Sequence, residues 1–163
     1  DLLNDPKARW YADFCPLVTE SIRAMTYRQY DYHAMMQYSS QLARWLHKRA
    51  SHNYTNAGYM TPYDVLFSSI KRDSGLLEYR RDRDSVRKLD KALEELQVQR
   101  VLNTIEKHEN RGSRNRILDV KYTLLPHPDF VKQVKAANKR LSDGRARLAQ
   151  LSQPLSRQSR ARR

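Results

Sequence analysis

The chain contains a single cysteine, Cys15, among its 163 residues. One cysteine excludes an intramolecular disulfide, so any zinc site would have to be built from other ligands. The chain also lacks a run of about 18 apolar residues, which excludes a membrane-spanning helix, and it shows no secretory signal. These absences favour a reducing, cytoplasmic setting. Cys15 lies in an apolar and aromatic segment, and we expect it to be a small core residue.

Motifs that mark enzymes are missing as well. There is no Walker A loop, GxGxxG, HExxH or cysteine-based metal spacing. His47 and His52 do not have the i and i+4 spacing that two zinc ligands on one helix face require. Ten tyrosines raise the possibility of a tyrosine nucleophile, but nothing singles one out. The adjacent Glu94 and Glu95 indicate solubility rather than magnesium binding. The sequence therefore predicts no catalytic residue, no metal ligand and no cofactor.

Acidic residues are greatly outnumbered by basic ones. The chain has 31 Lys and Arg against 18 Asp and Glu, a net charge of +13. Such an excess indicates a polyanionic partner, most often nucleic acid and sometimes an anionic membrane surface. With 39% hydrophobic and 30% charged residues, we expect a soluble globular protein with room for one good domain or two very small ones. Because the chain begins at Asp1 rather than a methionine, we expect a fragment that lacks an upstream domain.

Apolar spacing predicts the elements of the first half. We expect a strand over residues 10–14 that Pro16 ends, then a short helix through residues 17–25 and a long helix over residues 32–49. Basic residues gather near the end of the long helix, where the helix dipole favours positive charge: His47, Lys48, Arg49 and His52. A short strand at residues 63–66 should lead into a helix that Ser68 or Ser69 caps and Gly75 ends.

The stretch from residue 72 to residue 96 is the most informative. It indicates a turn followed by an amphipathic helix, and apolar residues recur at helical spacing: Val86, Leu89, Leu93 and Leu96. The other side carries basic residues: Arg83, Arg87, Lys88 and Lys91. A DNA-binding helix needs this division, because one face is held while the other reaches bases and phosphates. The alternative is a solvated face balanced by the acids of the same helix: Asp82, Asp84, Asp90, Glu94 and Glu95.

A basic hairpin follows this helix. Val98, Val101 and Ile105 indicate a first strand, and residues 117–124 a second one that ends before Pro126. Gly112 is able to take a positive φ in the turn between them. The tip carries three arginines positioned for phosphates or a minor groove: Arg111, Arg114 and Arg116.

The last part of the chain predicts a helix and a tail. Asp129 is the expected N-cap of a helix with an apolar side, and Gly144 should weaken or end it. Residues 152–163 contain four arginines and no acid. We expect that tail to be disordered and to act as an electrostatic arm.

Three segments together resemble the winged-helix module of plasmid replication initiators. Residues 63–79, followed by a basic helix that ends Ala92-Leu-Glu-Glu-Leu96, resemble its strand, short helix and recognition helix. Residues 40–49 resemble its long first helix, and residues 14–22 resemble the strand and helix before that. The similarity covers about residues 14–125, and its motifs are degenerate patterns rather than fixed signatures.

The resemblance implies an α+β fold, a helix-rich winged helix-turn-helix domain with a β-hairpin wing and a C-terminal helix. The domain would span residues 1–128, the helix residues 129–150 and a disordered Arg-rich tail residues 151–163. Such initiators bind short repeated sites at a plasmid origin and recruit host replication proteins. They often have two winged-helix domains, whereas this chain has room for about one, so a homodimer and origin melting stay open.

Residues of the family's DNA interface carry over by position. On the recognition helix the resemblance assigns Arg80, Arg81, Arg83, Arg87 and Lys88, with Lys91 more peripheral. On the wing it assigns Arg111, Arg114 and Arg116.

The sequence thus predicts sequence-specific binding of double-stranded DNA without covalent chemistry. A winged-helix transcriptional regulator shares these features and differs only in its partners. A basic module that docks an acidic protein would bind DNA weakly and without sequence preference. An RNA-binding protein is disfavoured because no exposed aromatic platform at strand spacing is visible, although the aromatic residues of segment 27–32 leave that alternative open.

Overall fold

The computed structural model describes residues 12–24, 31–113 and 116–151. The chain divides into two compact units, one of residues 28–143 and one of residues 1–27 with 144–163. The described residues form an α+β protein with six helices and a three-stranded antiparallel sheet, which confirms the predicted class. The helices are α1 (Pro16–Arg23), α2 (Tyr32–Met36), α3 (Gln41–Asn53), α4 (Phe67–Ser74), α5 (Asp82–Val98) and α6 (Pro128–Leu151). The strands are β1 (Tyr63–Leu66), β2 (Leu102–Arg111) and β3 (Ile117–Pro126). The domain boundaries drawn above at residues 128 and 150 stay predictions.

The sheet has the order β1-β3-β2, with β3 in the centre and antiparallel to both neighbours. Tyr122 of β3 lies opposite Val65 on one side and Lys107 on the other. Its ring is fully buried and belongs to the core of unit 28–143. Helix α5 packs its predicted apolar face into the same core, where Val86, Leu89, Leu93 and Leu96 are all buried. The helical spacing was therefore a reliable guide to this element.

The N-terminal prediction is partly wrong. Residues 12–15 form no strand, and Cys15 is exposed rather than part of a core. Pro16 opens helix α1 instead of ending a strand, because its fixed φ and missing N–H suit the first helical turn. Residues 10 and 11 of the predicted strand, and residue 25 of the predicted helix, lie outside the described residues.

The long helix predicted over residues 32–49 is two helices. The chain leaves the helical conformation after Met36 and restarts at Gln41, with Ser40 as N-cap. The Ser40 side chain accepts a hydrogen bond from the Ala43 N–H at 3.0 Å. The Glu95 carboxylate of α5 accepts the N–H groups of Ser39 at 2.8 Å and Ser40 at 3.3 Å. These contacts satisfy backbone donors that a continuous helix would have used internally. Glu95 thus holds the fold together, contrary to its predicted solubility role.

His47 does not belong to the expected cluster of positive charge. It is buried in α3, with its Nδ1 atom 3.1 Å from the Tyr38 hydroxyl and its ring against Phe130. Burial lowers the pKa of His47, which favours the neutral imidazole.

Helix α4 begins and ends by different means. It starts at Phe67 without a side-chain cap, so neither Ser68 nor Ser69 is the N-cap. Ser68 instead donates through its N–H at 3.1 Å and its hydroxyl at 2.6 Å to Asp119 of β3, which places a carboxylate at the helix N-terminus. Gly75 ends the helix with φ of 61°, as predicted, because a left-handed residue at this position favours glycine.

The hairpin β2–β3 has the predicted strands with different ends. Val98 is an exposed residue of α5, and the chain turns through Gln99 and Arg100 before β2 begins. Gly112 does not use the positive φ that a glycine allows. A Cβ atom there would lie 3.1 Å from the Leu118 side chain, so close packing explains the glycine.

Helix α6 also differs from its prediction. It begins at Pro128, which leaves Asp129 inside the first turn rather than at the N-cap. The helix continues through Gly144 to Leu151, so the cost of one glycine does not end it. Among the described residues, none of the helices has the apolar length that a bilayer crossing requires.

Candidate nucleic-acid interface

Helix α5 turns a stripe of basic residues away from the core. Arg83, Arg87 and Lys91 recur every four residues and are exposed. At 3.6 residues per turn they lie opposite the buried side of the helix. The predicted division into a packed face and a basic face is present, and the structure brings these three predicted site residues together.

Most acids of α5 are bound to other parts of the fold. The Asp82 carboxylate accepts a hydrogen bond from the Lys71 ammonium of α4 at 2.7 Å. The Glu95 carboxylate accepts hydrogen bonds from the backbone N–H groups of Ser39 and Ser40. The Asp90 carboxylate accepts hydrogen bonds from the Tyr122 hydroxyl at 2.7 Å and from the Lys107 ammonium at 2.8 Å. Most of the acids that could balance the basic face are thus engaged by other elements.

Among the residues that the structure describes, two acids of α5 have no such partner in another element. Asp84 lies 4.0 Å from Arg87 one turn along the helix, and Glu94 is exposed. An exposed pair at this distance contributes little to stability. The stripe therefore keeps most of its positive charge available to a ligand.

Two further arginines join Arg83 at the start of α5. Arg80 and Arg81 lie at the end of the α4–α5 turn, Arg83 lies in the first helical turn, and all three are exposed. Within the described part of the chain, none of the three forms an ion pair. The N-terminal end of a helix adds partial positive charge of its own. This end of α5 is thus a concentrated positive surface.

Lys88 is turned toward the protein instead. Its ammonium lies 3.5 Å from the Leu76 carbonyl oxygen and 5.1 Å from the centroid of the Tyr79 ring, which places it over the α4–α5 turn. The buried Ser85 hydroxyl donates to the Leu77 carbonyl at 3.0 Å in the same turn. Both contacts fix the turn that leads into the basic stripe. Sequence reasoning missed Ser85, although a serine on an apolar helix face was a usable signal.

The wing arginines differ from one another. Arg111 donates through its Nε to Glu109 at 2.9 Å, so a carboxylate of its own strand holds it. Arg116 is exposed, and its backbone carbonyl accepts the Gly112 N–H at 2.8 Å, which closes the base of the tip. Arg114 lies outside the described residues.

No protein-family model, curated protein or solved structure matches this chain. The arrangement of α5 and its surroundings therefore stands on its own geometry and charge. Across residues 12–24, 31–113 and 116–151, no three His, Cys, Asp or Glu side chains come together in a way that could hold a metal ion.

Proposed function

We propose that this chain contains a winged-helix domain that binds double-stranded DNA with sequence preference. The order α3, β1, α4, α5, β2, β3 and the sheet order β1-β3-β2 support this proposal, since α4 and α5 would form the helix-turn-helix and β2–β3 the wing. Helix α5 is then the recognition helix.

The proposal depends on a difference between the acidic and basic residues of α5 and of the turn before it. Its acids Asp82, Asp90 and Glu95 are engaged by other elements, whereas Arg80, Arg81 and Arg83 have exposed side chains. A helix that only needed solvation would not require this separation. A helix that meets phosphates and base edges benefits from it, because a carboxylate bound by another element repels the DNA backbone less than an unpaired one.

The geometry suggests a division of roles within the site. Residues at the N-terminal end of a recognition helix reach base edges, so we assign Arg83 and Arg87 to guanine O6 and N7. Arg80, Arg81 and Lys91 are assigned to phosphates, together with Arg116 of the wing. Lys88 is assigned to holding the turn rather than to contacting DNA.

The test is selection of bound duplexes from a random library, followed by affinity measurements on the selected and a scrambled duplex. We expect Arg83→Ala and Arg87→Ala each to reduce the discrimination between the two duplexes by about 1–3 kcal/mol. Lys139→Ala, at an exposed position of α6, is the matched control and should leave discrimination unchanged. Equal losses on both duplexes for the α5 variants would refute the recognition-helix assignment.

We further propose that the preferred sites are repeats at a plasmid replication origin, with host replication proteins as partners. The resemblance of residues 14–125 to plasmid initiators is the support for this step. A plasmid that carries the selected repeats should replicate only when the wild-type chain is present. A selected motif that occurs singly beside promoters would instead favour a transcriptional regulator.

A further inference from the structure

We propose that Asp90 is a positioning residue that fixes the hairpin β2–β3 against α5 and thereby orients the wing residue Arg111 for a nucleic-acid phosphate. This inference rests on the proposed DNA-binding function. It concerns a carboxylate in the middle of a basic helix, at a position where DNA binding alone would favour a neutral or basic residue.

Asp90 joins three elements through one carboxylate. Its Oδ1 atom accepts the Tyr122 hydroxyl of β3 at 2.7 Å, and its Oδ2 atom accepts the Lys107 ammonium of β2 at 2.8 Å. The Tyr122 ring is fully buried, so its hydroxyl has little freedom to move. Both strands of the hairpin are thus tied to the same point of α5.

The contacts continue along β2 toward the tip. The Lys107 ammonium also lies 3.3 Å from Glu109 Oε1, and Glu109 Oε2 accepts the Arg111 Nε at 2.9 Å. Lys107, Glu109 and Arg111 alternate along one strand, so their side chains share one face of the sheet. A continuous series of contacts therefore runs from the middle of α5 to the last residue of β2.

This series has more effect on orientation than on stability. The Lys107 and Asp90 side chains are about one-third exposed, at 30% and 33%, and such pairs contribute only about 0–1 kcal/mol to folding. Holding a long cationic side chain in one orientation does, however, reduce the entropy that binding must otherwise remove. A phosphate that meets Arg111 would thus find its guanidinium already placed.

Asp90→Asn is the variant that separates these effects. The amide oxygen can still accept the Tyr122 hydroxyl, while the ion pair with Lys107 is lost. Asp84→Asn is the matched control, because Asp84 lies in the same helix, its variant loses the same charge, and among the described residues its ion pair is with Arg87 of the same helix rather than with the hairpin. We expect Asp84→Asn to tighten binding to the selected duplex, since it removes a negative charge near DNA, and Asp90→Asn to weaken binding relative to it.

A double-mutant cycle tests the route through Arg111. The ratio of the affinities of Asp90→Asn and Asp84→Asn should differ by about 3- to 10-fold between the wild-type and Arg111→Ala backgrounds, because the effect of Asp90 requires Arg111. Identical ratios in the two backgrounds would overturn the inference, and so would equal affinities of the two single variants.

A measurement without DNA distinguishes failure of this inference from failure of the proposed function. Asp90→Asn should raise the amide hydrogen-exchange rates of residues 107–111 several-fold, whereas Asp84→Asn should leave them unchanged. A wild-type chain that binds no duplex, with exchange that responds as expected, would reject DNA binding and with it the phosphate role of Arg111, while Asp90 would still position the hairpin. Exchange that does not respond to Asp90→Asn would reject the positioning role itself.

Discussion

At the scale of single residues, two turns use the left-handed backbone conformation with different side chains. Gly75 ends α4 with φ of 61°, and Arg100 follows α5 with φ of 56°. Glycine adopts this conformation without steric cost, whereas an arginine brings its Cβ atom too close to the backbone. The turn before β2 therefore contains local strain that the turn before α5 avoids.

We expect Arg100→Gly to be more stable than Arg100→Ala by about 1 kcal/mol. Both variants remove the same weak ion pair with Asp129 at 3.7 Å, so that contact cancels in the comparison. Urea denaturation of the two variants measures the difference in the free energy of unfolding. Equal stabilities would mean that the turn relaxes to another conformation when the side chain is removed.

His47 should make stability depend on pH. Its folded pKa is lowered by burial despite the raising effect of Asp31, so the unfolded chain binds a proton that the folded chain does not. The stability that the neutral ring confers is complete above the unfolded pKa of about 6.5 and decreases as the pH falls below it, by up to about 1.4 kcal/mol per pH unit.

Denaturation of the wild-type chain and His47→Gln between pH 8 and pH 5 tests this expectation. The variant should lose part of the slope below about pH 6.5, whatever its absolute stability. Tyr38 and Phe130 line the other sides of the ring and do not titrate in this range, since burial raises the pKa of Tyr38 further above neutrality. Identical slopes would place the origin of any acid sensitivity elsewhere.

At the scale of elements, the start of α3 is capped by a side chain of α5, which follows much later in the chain. Glu95 of α5 accepts the N–H groups of Ser39 and Ser40, which precede it by 56 and 55 residues. A carboxylate at this position satisfies donors at the start of α3 that would otherwise have no partner in the helix. Burial acts to raise the pKa of Glu95, but the hydrogen bonds from Ser39 and Ser40 together hold that pKa below its usual value.

We expect Glu95→Ala to reduce the free energy of unfolding by about 1–2 kcal/mol, the size typical of a lost helix cap. Glu94→Ala is the control, because the neighbouring carboxylate is exposed and should contribute less than about 0.5 kcal/mol. Thermal denaturation of both variants at pH 7 provides the comparison. A similar loss in both would show that the charge of the helix, and not the contact with Ser39, is what matters.

Elements whose signals are local could be predicted from the sequence. The apolar spacing of α5, the strand at residues 63–66 and the left-handed Gly75 are encoded within a few residues. The break at Ser39 and the bond between Ser68 and Asp119 were missed because the partners lie far away in the sequence. Gly144 does not end α6, for a different reason: one glycine is too small a penalty to end a 24-residue helix.

In the candidate site, too, the features that depend on neighbouring residues could be predicted from the sequence, whereas those that depend on distant residues could not. Composition and helical spacing indicated the exposed stripe of Arg83, Arg87 and Lys91 correctly. They could not reveal that Lys88 lies over the α4–α5 turn or that Glu109 holds Arg111, because these contacts depend on tertiary packing. The same packing explains why the acids of α5 do not neutralise its basic face.

At the scale of the whole molecule, the net charge of +13 should govern affinity for any nucleic acid. Residues 152–163 contribute four arginines and no acid, so their deletion lowers the net charge to +9. We expect the deletion to weaken binding to selected and scrambled duplexes alike and to reduce the salt dependence of log K by up to about 3–4. Titration of both duplexes between 50 and 200 mM salt, about the range in which such effects are large, is the measurement. A loss confined to the selected duplex would mean that the tail reads sequence.

The order of the sheet has a consequence for self-association. Strand β2 pairs only with β3 in the described part of the chain, so its other edge presents unpaired backbone groups that invite a strand from a second molecule. Two irregularities interrupt the pairing of β2 with β3: one lies between Leu102 and Thr104 of β2, and the other lies where Asn110 and Arg111 face Asp119 and Ile117, so that its extra residue belongs to β3. The addition of a second strand at this edge would also remove water from three charged side chains: Lys107, Glu109 and Arg111. We therefore expect the charged side chains of β2 and its irregular pairing to disfavour polymerisation of the protein through this sheet edge.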